Sequence, residues 1–200
     1  MIPFPDKKYS VILGRRHRGR LLQQRRKEDE RIMKSVLISI HPKWCALIAS
    51  GKKTIEVRKT APKLPTPFKC YIYCTQDKGL SFWKSKTYAY ADDRSHNMYD
   101  IRGNGKVIGE FVCDLIGFHP GTDIPSSCVP IEELKKYANG KMLARWHISD
   151  VKIYDSPKKL GEFSNNSSRL EFSKTKDGFP WKWSGMTKPP QSWCYVEEIQ

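Results

Sequence analysis

Val36-Leu37-Ile38-Ser39-Ile40 is a nearly unbroken apolar run, and it predicts a buried strand within residues 35–40. Pro42 suits a first helical turn, with Trp44, Leu47 and Ile48 following at helical spacing. A helix is therefore expected from Pro42 to Ser50, ahead of Gly51. From Thr54 to Arg58 the period drops to two. As a strand, this segment puts Ile55 and Val57 on one face and Thr54, Glu56 and Arg58 on the other. Pro62, Pro65 and Pro67 mark a rigid loop. Lys69 to Thr75 and Ile148 to Tyr154 alternate as strands. Lys106 to Phe118 reads as a long strand bent at Gly109 or Gly117, and Trp193 to Glu197 as the last strand. Pro130 to Tyr137 predicts a second helix, with Gly140 near its end. Two stretches lack a period: residues 76–105, expected to be a long insertion, and residues 156–190, expected to be loop. Five or six strands with two short helices predict an α+β fold, a small mixed β-barrel flanked by the helices. A cleft is expected where the helices meet the sheet.

Residues 1–32 differ from the rest. They hold ten Lys or Arg against four Asp or Glu, including the block Arg15-Arg16-His17-Arg18-Gly19-Arg20. This segment reads either as a flexible basic arm or as a stretch ahead of a start at Met33. Residues 33–200 then form the folded domain. The whole chain carries a formal charge of +15, which favours a polyanionic partner, nucleic acid first. No run of about 18 apolar residues is present, so no membrane span is expected. The N-terminus shows no apolar secretory core, and a cytoplasmic location is expected. Six cysteines, at 45, 70, 74, 113, 128 and 194, show no two-residue spacing of the kind usual in zinc sites. Along a strand Cys70 and Cys74 would lie about 13 Å apart, too far to chelate one ion. Reduced thiols, no metal and no cofactor are the expectation.

Candidate chemistry concentrates in Gly51-Lys52-Lys53-Thr54-Ile55-Glu56-Val57-Arg58. The polar face of this strand presents a carboxylate and a guanidinium side by side, with Lys53 at its mouth. Such a set can hold a base edge or a phosphate, or it can be a surface hairpin with an exposed ion pair of little energetic weight. Gly51, Lys53, Glu56 and Arg58 resemble the signature of the ASCH family, a branch of the PUA-like superfamily. Ser39 to Trp44 and Gly105 to Phe111 resemble the family's flanking elements, and the likeness runs over roughly residues 34–199. It implies a PUA-like barrel, RNA-related roles and a ligand cleft beside the signature strand. One branch of the family removes the acetyl group from acetylcytidine with a Lys, a Thr and a Glu. Lys53 matches that lysine, but Glu56 stands where the threonine would be. Thr54 is the nearest hydroxyl, and Glu132 or Glu133 would be the third group. Another member is a ribonuclease.

Aromatic and polar residues complete the expectation. Trp44, Trp146, Trp193 and Tyr195 can stack on bases or fill a core, and Trp181 and Trp183 fall in a Pro- and Lys-rich stretch. His147 lies in a Trp-His segment similar to ones in phage and bacterial members of the family, and Glu110 can face the cleft or solvent. Gln191 and Ser192 follow Pro189-Pro190 and could read a base edge or simply open the last strand. The expected nucleic-acid contacts are Trp44, Lys53, Glu56, Arg58, Trp146, His147, Gln191 and Ser192. In an enzyme, Lys53, Thr54 and Glu56 would be catalytic. Two readings therefore stand side by side: an RNA- or modified-nucleotide-binding module, and a hydrolase of acetylcytidine or RNA with Lys53 as base or nucleophile.

Overall fold

The computed structural model of the protein describes residues 35–93, 100–165, 170–172, 181–183 and 185–198. The basic segment 1–32 lies outside them, as do the side chains of Trp181 and Trp183. Strand β1 (Ser35–Ile40) sits inside the main sheet, parallel to β3 (Phe68–Cys74) and antiparallel to β12 (Trp193–Glu198). Both of its faces are covered, which explains why its apolar run does not alternate with polar residues. Val36, Ile38 and Ile40 enter the larger core cluster, with Phe111, Trp146 and Ile148. Leu37 enters a second cluster, with Tyr71, Phe163 and Val196.

Seven strands form the main sheet in the order β2-β8-β7-β3-β1-β12-β9. β2 is Ile55–Arg58, β7 is Lys106–His119, β8 is Leu143–Lys158 and β9 is Phe163–Ser164. The ladder is open, with β2 and β9 at its edges; among the described residues no pairing closes it into the expected small barrel. β7 and β8 shift register three times, and one shift lies between Val107 and Gly109. Here the backbones pass so closely that a Cβ on Gly109 would stand 2.4 Å from the Lys152 carbonyl oxygen. Only glycine fits that approach. Helices α1 (Pro42–Ala49) and α2 (Ile131–Ala138) complete the mixed α+β fold.

Two segments are more regular than their sequence suggested. Within the aperiodic insertion, β4 (Ser81–Lys84), β5 (Ala89–Asp92) and β6 (Ile101–Arg102) form a separate three-stranded antiparallel sheet. In the region expected to be loop, β8 continues to Lys158, β9 pairs with β12, and β10 (Leu170–Phe172) pairs with β11 (Trp181–Trp183). β8 also begins earlier than expected, so Trp146 and His147 lie inside a strand rather than ahead of one.

Candidate nucleic-acid cleft

The turn after α1 places Lys53. His41 caps the helix start, Pro42 occupies its first turn, and Gly51 leaves the end with a φ of 73°. That left-handed conformation suits glycine and lets the chain fold back on the helix. The Lys53 N–H then donates to the Leu47 carbonyl at 3.0 Å, and the Thr54 N–H to the Ser126 carbonyl at 3.0 Å. Lys53 is thereby drawn inside, with 1% of its surface exposed. Its Nζ donates to the carbonyls of Ile55 (2.9 Å) and Ser127 (2.5 Å) and lies 3.2 Å from Glu56 Oε2. An ammonium has three protons to donate, and all three neighbours are acceptors.

Glu56 is also buried. Its Oε1 meets Arg58 Nη1 at 2.8 Å. Its Oε2, although close to Lys53, is not aligned for a hydrogen bond with it or with any other protein group. Arg58 is held in turn, because its Nη2 donates to the Ser39 carbonyl at 2.6 Å. Buried Lys53 and Glu56 and the partly exposed Arg58 thus form one chain of alternating charge, quite unlike an exposed pair of little weight. The Glu56 charge reaches the core behind it. Burial raises the Cys45 thiol well above its ordinary value, and Cys74 and Glu56 add to that shift.

These groups line a cleft of about 210 Å³ together with Trp44, Val57, Val129, Glu133, Leu134 and Tyr137. The volume is below the roughly 300–1,000 Å³ of ordinary ligand pockets, so the cleft has room only for a small group. Lys43 and Lys53 lie 4.6 and 5.4 Å from the centre of the Trp44 ring, and Lys59 lies 4.9 Å from that of Tyr137. Ile55 and Val57 pack towards α2 with Ile124 and Leu134, which seats the strand against the helix.

The structure brings Trp44, Lys53, Glu56 and Arg58 together and sets the other expected contacts apart. Trp146 is fully buried, with its ring edge-to-face against Phe68 and Trp193, so no face remains for a base. His147 points elsewhere: its Nδ1 pairs with Asp114 at 2.6 Å, and it does not line the cleft. Gln191 and Ser192 also lie off the lining, and the Ser192 carbonyl accepts from the Ser39 N–H as β12 begins. Thr54 is outside β2 and off the lining. Glu132 is exposed and pairs with Lys135, whereas Glu133 faces the cleft. Glu110 belongs to another cluster, bound by Tyr154 and Lys69. Sequence reasoning missed Tyr137 and Ser127. Tyr137 had a signal, since it stands four residues after Glu133 on one helix face. Ser127 contributes through its backbone carbonyl, for which a sequence carries no mark.

Among the described residues no group of three His, Cys, Asp or Glu could hold a metal ion, and no helix is long and apolar enough to cross a membrane. The fold and cleft define a β-rich, mixed α+β domain with a charged cleft between an edge strand and a helix. The chain belongs to the ASCH domain family, whose model matches residues 38–174. Two crystal structures of point mutants of an ASCH protein from Zymomonas mobilis are similar to it. One has a TM-score of 0.50 at 18% identity, covering 82% of this chain and 91% of that one. The other has a TM-score of 0.51 at 17% identity, covering 83% and 90%. At such identity the likeness speaks for the fold alone. No curated protein matched the chain.

Proposed function

We propose that the protein binds RNA or a modified nucleotide through the cleft between β2 and α2. The observation that carries this reading is that Trp44 and Tyr137 line one cleft with the ion-paired side chains of Glu56 and Arg58. Rings stack on the face of a base, a carboxylate accepts from its exocyclic amine and a guanidinium meets phosphate. Membership in a family associated with RNA binding, and the +15 charge, support the same partner. Residues 1–32, as a basic arm, would add affinity without sequence preference. The test compares single-stranded homopolymers against the protein and its Glu56→Gln variant at two salt concentrations. Binding should fall steeply with salt, and the variant should change base preference by about five-fold or more. Equal loss for every base would make Glu56 a purely structural residue.

A hydrolase of acylated nucleosides or RNA is the second reading, favoured by Glu133 facing the same cleft as Lys53. The three acceptors around Lys53 Nζ weigh against that amine as a free base or nucleophile, so Glu133 would carry the proton transfer. Turnover of acetylcytidine or RNA that is lost in Glu133→Gln while binding persists would establish it. No turnover at high protein concentration would leave binding alone.

A further inference from the structure

β7 is longer than one of the strands beside it. Its ladder with β3 ends at the pair Phe68–Cys113, while its ladder with β8 runs on to His119. From 114 to 119, one edge of β7 therefore has no strand along it among the described residues. The neighbouring strands fix which backbone groups point there. The Ile148 N–H donates to the Thr54 carbonyl, so Ile148 and, by alternation, Trp146 and Ala144 turn their peptide groups towards β2. Arg145 and Leu143 turn theirs towards β7, where they meet Gly117 and His119. Ile116 and Phe118 are left with N–H and C=O directed out of the open edge, and neither has a backbone partner on that side among the described residues. Their side chains share the face of Trp146 and Ala144. Ile116 packs against the larger core cluster, whereas Phe118 is 59% exposed and Leu115 64%. From Leu115 to Phe118 there is no charged residue or proline of the kind that keeps an edge from pairing.

We propose that this edge pairs with the same edge of a second copy of the chain, antiparallel about a two-fold axis at Gly117, so that two main sheets join into one. In that register Ile116 lies opposite Phe118 of the partner subunit, and Phe118 opposite the partner's Ile116. The residues that direct their peptide groups outward are thus the ones that meet, and each pair exchanges both of its N–H···O bonds. A two-fold axis perpendicular to the sheet keeps these side chains on one face, where a branched aliphatic chain against a ring is a favourable cross-strand pair. Gly117 falls on the axis in a closely spaced pair, whose Cα atoms approach to about 4.5 Å, and glycine puts no side chain in the way. Neighbouring registers are worse. An axis at Ile116 sets Phe118 against exposed Asp114, and an axis at Phe118 sets Ile116 against Pro120, which has no N–H to give. The segment fits itself in one register, and an isologous contact of this kind closes at two copies. It carries no Lys or Arg, so the repulsion between two chains of charge +15 is not focused on it. None of its residues belongs to the cleft.

Sedimentation velocity of the full chain, freed of nucleic acid and taken from about 5 to about 200 µM, tests it. Monomer should give way to dimer and to nothing larger. The dimer should strengthen as salt rises, because salt screens the repulsion between cationic copies; nucleic-acid binding moves the opposite way. Phe118→Lys should weaken the dimer by about ten-fold or more with the melting temperature unchanged. Met142→Lys changes a side chain that is 51% exposed just ahead of β8, off the open edge, and should leave the dimer as it was. Gly117→Cys should yield, on air oxidation, a dimer joined from position 117 to position 117, read by mass spectrometry of non-reduced peptides. A parent protein that stays monomeric throughout, or that grows past dimer without a plateau, overturns the proposal. Equal loss in Phe118→Lys and Met142→Lys, or cross-links that form elsewhere and not at position 117, overturns it too and assigns the contact to a general apolar patch.

Discussion

Replacing Lys53 with methionine keeps most of the buried side-chain volume and removes the charge. Two carbonyls then lose their donor, Ile55 at 2.9 Å and Ser127 at 2.5 Å, and Glu56 Oε2 loses the ammonium 3.2 Å away. Removing one member of a buried ion pair costs about 3–5 kcal/mol, because the other charge is left without compensation. Glu56 keeps Arg58 at 2.8 Å, which places Lys53→Met near the lower end, about 3 kcal/mol. For a chain of this size each kcal/mol lowers the melting temperature by about 2–4 °C, so a fall of about 6–12 °C is expected. Urea unfolding supplies the free energy directly. The double variant Lys53→Met/Glu56→Gln should lose less than the sum of the single changes, since each removes the same contact. A loss below about 1 kcal/mol for Lys53→Met, or strict additivity, would refute the picture of a buried, charge-compensated lysine.

Two further outcomes follow from the titrating groups. Burial pushes the Glu110 carboxyl up, but the Tyr154 hydroxyl and Lys69 outweigh it, and the net pKa lies below the ordinary 4.5. The stabilisation is therefore complete above the unfolded pKa and is lost as pH falls through the lower folded value. The stability advantage of the parent over Glu110→Gln, measured by urea melts, should shrink between pH 6 and pH 3; a constant difference would contradict it. Burial, with Asp114 adding, also pushes the Cys113 thiol up to about 12, and Cys45 and Cys70 are raised well above their ordinary value by burial first. Iodoacetamide at pH 8 should modify half-exposed Cys128 first and spare Cys45, Cys70 and Cys113 until the protein unfolds. Peptide mass spectrometry showing Cys70 labelled as fast as Cys128 would mean the core is not packed as described.

Local pattern carried much of the architecture. The run at β1, the helix signals around Pro42 and Pro130, and the alternation at Ile55 to Arg58 depend on neighbours in the chain and were legible. The β4–β5–β6 sheet was not, because Trp83, Tyr90 and Arg102 are brought together by pairing across turns, while Lys, Asp and Ser between them mask the period. Trp146 shows the opposite limit. Its identity suits stacking or a core equally, and only the contacts with Phe68 and Trp193 decide for the core. Within the cleft, the motif named Lys53, Glu56 and Arg58 but gave no hint that the lysine would be sealed by the Ser127 carbonyl. That contact spans 74 residues and depends on where the short 3-10 turn Pro125–Ser127 lands.

Ser39 uses three of its groups at once. Its carbonyl takes the Arg58 Nη2 hydrogen bond, its hydroxyl donates to the Pro190 carbonyl, and its N–H donates to the Ser192 carbonyl. The guanidinium that steadies the cleft is thereby tethered, through one serine, to the segment that leads into β12. A chain cut short before Pro190 would lose β12, the strand between β1 and β9, and, with it, the brace that aims Arg58, so ligand grip and the integrity of this segment rise and fall together.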